Sequence, residues 1–254
     1  MLATLPLASL EVMLLAAVRI TAFLVIAPPF SHNAIPLRIK GMLGVALALA
    51  VTPRLGQGYE SLDTGPYLAA IVAELLAGAS MGLLVMVVFA AIQSAGSLID
   101  LFGGFAMAQG FDPQSMVNGA QFTRFFHLAA LALLVASDGY QLVFAGLFRS
   151  FDSIPLGGGI GLPDVAQSLA GAVGQMFLAA VQIAGPLLVV LVLADIGLGL
   201  LTRAAPALNA FAMGFPLKIL LTLLLAGTVF VVLPALVSAL VRSALELLVG
   251  VGGV

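Results

Sequence analysis

The residues able to do chemistry are few in this chain. His32 and His127 are its only histidines, and it has no cysteine. Thiolate chemistry, disulfides and Cys-ligated metals are therefore excluded. His32 lies in a proline-flanked turn, and His127 stands in an apolar run beside Arg124. No HExxH, GxSxG or phosphate-binding loop occurs. What remains is a set of charges inside or beside apolar runs: Glu74, Asp100, Arg124, Asp138 and Asp195. Each such group costs about 2.5–3.5 kcal/mol to place in a membrane segment, which makes it a functional candidate. Carboxylates on glycine-broken helices can relay ions, as in a secondary transporter acting alone. They can also pair with arginine or with helix ends inside an assembly. Asp195 and Arg203 are spaced by about two helical turns, although Gly197 and Gly199 lie between them. The structural role is favoured, because buried polar groups mostly exist to be satisfied. No catalytic, cofactor or metal site is expected.

The elements that must position these groups belong to a membrane protein. Of 254 residues, 62% are hydrophobic and 8% charged, against about 45–50% and 25% in soluble domains. The net charge of −2 gives nucleic acid no basic footprint. Six apolar runs stand between Pro, Gly and charged punctuation: 5–27, 39–52, 67–92, 122–148, 165–193 and 210–233. A bilayer core of about 30 Å needs about 20 helical residues. The second run, about 21 Å long as a helix, is too short to span. The first run is read as a retained helix and not a cleaved leader, since Glu11 and Arg19 interrupt it. Asp164 is a plausible N-cap for the fifth, with Gln167 at capping-box spacing. The expected fold is all-α: an integral membrane protein of about six hydrophobic helices arranged as hairpins, with a glycine-rich inserted loop. A separate amphipathic helix is expected over 234–250, where Ser238, Arg242 and Glu246 share one face.

Two helices carry stripes of small and polar residues. The third run has Glu74, Gly78 and Gly82 in a row that drifts into Gln93, Gly96 and Asp100. The fifth has Gln167, Gly171, Gly174, Gln175, Gln182 and Gly185. Small residues let backbones approach and amides bond across helices, so both stripes are expected to contact other subunits.

The stretch "SAGSLIDLFGGFAMAQGFDPQ" (94–114) needs its own account. A helix can run to about Leu101. Gly103, Gly104 and Gly110 then supply backbone freedom, while Phe105, Met107, Phe111 and Met116 supply bulk that can fill irregular gaps. Asp100 and Asp112 flank the segment, where they can bond free backbone N–H groups or meet water. The residues alone fit two descriptions: a gate, or a re-entrant loop covered by protein.

Several motifs, in order, resemble the FliR/SctT family of flagellar and related type III secretion systems. They are "VRITAFLVIAPPF" with "IPLRIKG"; "AIQSAGSLIDLFGGFAMAQGFDPQ" followed by "RFFHLAALALLVASDGYQLVFAGLFRSFDSIPLG"; and "LVLADIGLGLLTRAAPALNAFAMGFPLKILL". The resemblance covers nearly the whole chain and leans to the flagellar branch. Ala207 stands where the family usually has Gln, and Tyr140 where it often has His. The resemblance implies a non-enzymatic, single-domain export-gate subunit in the bacterial inner membrane at the flagellar basal body. It implies FliP-like, FliQ-like and FlhB-like partners, unfolded export substrates, and contact with membrane lipid. It also implies a plug: residues 103–119 would close the pore. Gly78, Gly82, Gln93, Asp100, Arg124, Gln175, Gln182, Asp195, Arg203 and Lys218 would then serve assembly.

Overall fold

A computed structural model describes residues 7–105, 121–159, 161–205 and 210–250. These residues form seven α-helices and no strand. They are α1 (Leu7–Ile26), α2 (Leu37–Leu55), α3 (Thr64–Phe102), α4 (Gln121–Ala136), α5 (Gly139–Ser153), α6 (Leu162–Ala204) and α7 (Ala210–Gly250). Helices α1, α3, α6 and α7 are each long and apolar enough to cross a membrane. The protein is an all-α integral membrane protein, as expected.

Proline and glycine set most of the helix ends. α1 stops just before Pro28 and Pro29, and α2 starts directly after Pro36. α3 and α6 carry Pro66 and Pro163 in their first turns, where a missing N–H costs no intrahelical bond. α6 begins at Leu162, so Asp164 lies inside the first turn instead of capping it. α5 ends as Ile154 turns extended before Pro155, the conformation a following proline imposes.

The second run is a helix of 19 residues, longer than the run itself, and α2 is not among the helices long and apolar enough to cross a membrane. Two expectations are corrected. The fourth run is two helices, α4 and α5, bent by 76°. The corner is Asp138, whose φ of 54° places a non-glycine residue in the left-handed region. Finally, no break separates a C-terminal helix: α7 runs through Pro216 and Pro234 to Gly250. Pro234 lacks the N–H that would bond the Phe230 carbonyl one turn earlier; one turn later, Ser238 Oγ bonds the Pro234 carbonyl at 2.9 Å.

The chain divides into two compact units. The first takes in 1–88, 138–173 and 240–254; the second 89–137 and 174–239. In the first unit α1 packs between α2 and α3. Gly44 of α2 lies against the Thr21 side chain, and Gly78 of α3 against the Arg19 backbone carbonyl. A Cβ at Gly82 would stand 3.0 Å from the Phe23 carbonyl. The loop before α3 is tied back to α1: the Glu11 carboxylate accepts from Tyr59 Oη at 3.3 Å and Leu62 N at 3.2 Å. Burial, then the Glu11 carboxylate, pushes the Tyr59 hydroxyl up to about 12. In the second unit a ring cluster forms the core, with Phe125 and Phe126 of α4 against Phe230 of α7 at centroid distances of 4.7 and 5.7 Å.

Candidate functional site

The inserted segment follows the end of α3 and precedes the start of α4, both in the second unit. α3 closes with a last bond from Gly103 N to the Ile99 carbonyl, 2.8 Å. Gly104 follows at φ +83°, a conformation open to glycine and costly for a side chain. A Cβ on Gly103 would press on Thr222, and one on Gly104 would stand 3.0 Å from the Phe215 ring. Phe105 then meets Phe122 edge-on at 5.2 Å.

One carboxylate holds the two feet of this segment together. Asp100, 1% exposed, lies on the last turn of α3. Its Oδ1 accepts from Phe122 N at 3.0 Å; its Oδ2 accepts from Thr123 N and Thr123 Oγ1, both at 2.8 Å. The first amides of a helix have no intrahelical acceptor. Asp100 supplies one to α4 from 22 residues earlier in the chain, and its charge faces the positive end of the helix dipole. Gly96 permits the approach, because a Cβ there would lie 2.8 Å from the Phe122 carbonyl. The sequence pattern expected a flanking carboxylate able to bond backbone N–H groups, and Asp100 does so. Gly103, Gly104 and Phe105 stand at the start of the segment, directly after α3. Met107, Gly110, Phe111 and Met116 lie outside the described residues.

A second polar cluster sits inside the first unit and was not assembled from the sequence. Arg19 of α1 and Glu74 of α3, 0% and 1% exposed, form an ion pair. Arg19 Nε donates to Glu74 Oε2 at 2.5 Å and Nη2 to Oε1 at 2.9 Å, the paired geometry of a guanidinium on a carboxylate. Arg19 also donates to the Ile154 carbonyl at 3.0 Å and the Ser150 carbonyl at 3.3 Å. Its guanidinium carbon lies 4.3 Å from the Phe151 ring centre. Glu74 Oε1 accepts a further bond from Gly157 N at 2.9 Å. The cluster joins α1, α3, α5 and the loop after α5. Because Glu74 Oε1 is shared and Oε2 is paired, this carboxylate is fully engaged. A signal for the pair existed: one arginine and one glutamate of opposite sign in separate apolar runs must each find a counter-ion.

The other candidates are placed as follows. Asp195 pairs with Lys218 of α7 at 2.6 Å, not with Arg203, because α7 brings an ammonium beside it. Arg203, Arg124 and Asp138 are exposed, the last at the α4–α5 corner. Gly78 and Gly82 are taken up by α1 of the same chain, which corrects their assignment to another subunit. Among the described residues nothing lies within 4 Å of where a Cβ on Gly171, Gly174 or Gly185 of α6 would stand, and Gln93, Gln175 and Gln182 are exposed. His32 makes a local turn bond, its Nδ1 accepting from Ala34 N at 3.1 Å.

Comparison with known proteins agrees with the motifs. The family model for bacterial export proteins, family 1, matches residues 10–244. The flagellar biosynthetic protein FliR of Pectobacterium carotovorum subsp. carotovorum is 32% identical over 91% of this chain and 88% of its own length. FliR of Bacillus subtilis (strain 168) is 30% identical over 94% and 95%. The Yop proteins translocation protein T of Yersinia pestis is 28% identical over 79% and 78%. A helical membrane chain, matched along nearly its whole length by these relatives, belongs to the bacterial export proteins of family 1, the FliR/SctT family.

Proposed function

We propose that this chain is a subunit of the flagellar type III protein export gate. It forms the export pore with FliP-like and FliQ-like partners, beside an FlhB-like subunit, in the inner membrane at the flagellar basal body. Unfolded export substrates pass through that pore. Residues 103–119 form its plug, and the role is non-enzymatic. The observation that supports the plug is the Asp100 clamp, which ties the end of α3 to the start of α4 on either side of the segment. A plug has to be anchored and displaceable at once. Its closed state can be favoured by only a few kcal/mol, since shifting a two-state balance from 1:99 to 99:1 takes about 5.5 kcal/mol.

The test is deletion of residues 105–109 in the assembled complex. Assembly is expected to persist and ion conductance across the resting complex to rise. A deletion complex that assembles and stays as tight as wild type places the seal in a partner subunit.

A further inference from the structure

The inserted segment starts on a seat provided by α7. Gly103 lies against the Thr222 hydroxyl and Gly104 against the Phe215 ring, each too closely to admit a side chain freely. Thr222 is fully buried. Phe215 and Thr222 are two turns apart on one helix, so they share a face. Lys218 stands between them on that face, one turn from each. The Thr222 hydroxyl donates to the Lys218 carbonyl at 2.8 Å. Lys218 in turn reaches α6, with its Nζ 2.6 Å from Asp195 Oδ1. The start of the segment, the α7 face and α6 are thus joined in series, all within the second unit.

α7 needs such a tie at this point. Pro216 has no N–H, so the helix bond back to the carbonyl one turn earlier is missing. That gap falls at the seat: Phe215 adjoins it, and Lys218 and Thr222 follow it. α6 holds α7 on both sides of the gap. Leu198 lies 3.5 Å from where a Cβ on Gly214 would stand, and Asp195 holds Lys218. The first is an apolar contact, which allows sliding; the second is charged and directional. Packed side chains leave few voids, so a shift of this α7 face carries Gly103 and Gly104 with it. Asp195 is the more exposed partner, 47% against 18% for Lys218, and can be altered without opening the core.

We infer that Asp195 and Lys218 are positioning residues: their ion pair fixes the α7 face that seats Gly103 and Gly104, and so sets where the inserted segment begins. The seat stands on these contacts alone; any effect on conductance rests on the plug reading. The test is hydrogen exchange and resting conductance of the assembled complex carrying Asp195→Asn. The Gly103 amide, whose bond to the Ile99 carbonyl closes α3, is expected to exchange about fivefold faster, the upper end for a partly exposed ion pair. The amide of Phe126, in the ring cluster, is expected to keep its wild-type rate. Lys218→Arg, which keeps the charge, is expected to exchange like wild type at both. Faster exchange at Gly103 with unchanged conductance leaves the seat standing and counts against the plug. Wild-type exchange at Gly103 in Asp195→Asn overturns the inference. So does an equal rise at Phe126, or loss of the complex, since the pair then supports the whole unit and not the seat.

Discussion

The Asp100 clamp makes a quantitative demand on its own replacement. Asp100→Asn keeps the volume of the side chain but leaves a single accepting oxygen. The carboxylate now serves three donors through two oxygens: Phe122 N on one, Thr123 N and Oγ1 on the other. An amide nitrogen in place of either oxygen faces a donor with a donor. At least one first-turn amide of α4 is then left without its acceptor, at about 1–3 kcal/mol, and the charge facing the helix dipole is lost, at about 0.3–1 kcal/mol. Taking about 2.5 kcal/mol as the centre of the two together, the amides of Phe122 and Thr123 should exchange with deuterium about 60-fold faster. Amides of the α1–α3 contact, in the other unit, should be unaffected. Thr123→Val removes only the hydroxyl contact and should cost about 1 kcal/mol. The assay is hydrogen exchange of the assembled complex, paired with its resting conductance, which should rise as the feet of the segment loosen if residues 103–119 form the proposed plug. If Asp100→Asn assembles, exchanges like wild type at Phe122 and Thr123 and stays tight, the clamp does not hold the segment.

Two further outcomes test the first unit. Glu74→Gln leaves the Arg19 charge buried and unpaired, so complex yield and thermal stability in detergent should fall, by about 3–5 kcal/mol where a folded fraction can be measured; Arg19→Met added to it should recover part of the loss, and a single mutant as stable as wild type would sink the pairing argument. Gly78→Leu drives a side chain into the Arg19 backbone, an overpacking of about 1–3 kcal/mol or more, so the chain should be destabilised even when made without partners; a defect seen only on assembly would return Gly78 to a subunit contact.

Hydropathy made the long helices legible, because apolar runs of spanning length have few other uses. It could not show where such a run bends. The 122–148 run contains Ser137-Asp138-Gly139, a turn signal by residue type, but the apolar residues on either side masked it. Proline misled in the opposite direction at Pro234, which the helix α7 runs through instead of ending. In the candidate site, Asp100 was legible as a flanking carboxylate because it stands at the edge of a glycine break. Its bond to α4 was not, since that depends on how far the chain returns. The Arg19–Glu74 pair was hidden for the same reason: residues 55 apart share no local pattern. The stripe at Gly78 and Gly82 was read correctly as a close helix contact and wrongly as one between subunits, because small-residue spacing does not say whose backbone approaches.

The Arg19 cluster also has a meaning in time. Arg19 is made early and its partners late: Glu74 comes 55 residues after it and Ile154 135 residues after it. At a synthesis rate of about 5–20 residues per second, Glu74 emerges about 3–11 s after Arg19, and the carbonyls at Ser150 and Ile154 later still. Over that interval α1 carries a guanidinium with no counter-ion, in a segment where such a charge costs about 2.5–3.5 kcal/mol. The apolar residues of α1 outweigh that cost, since Leu7–Ile26 is apolar enough to cross a membrane with the charge in it, and the arrival of α3 with Glu74 relieves it.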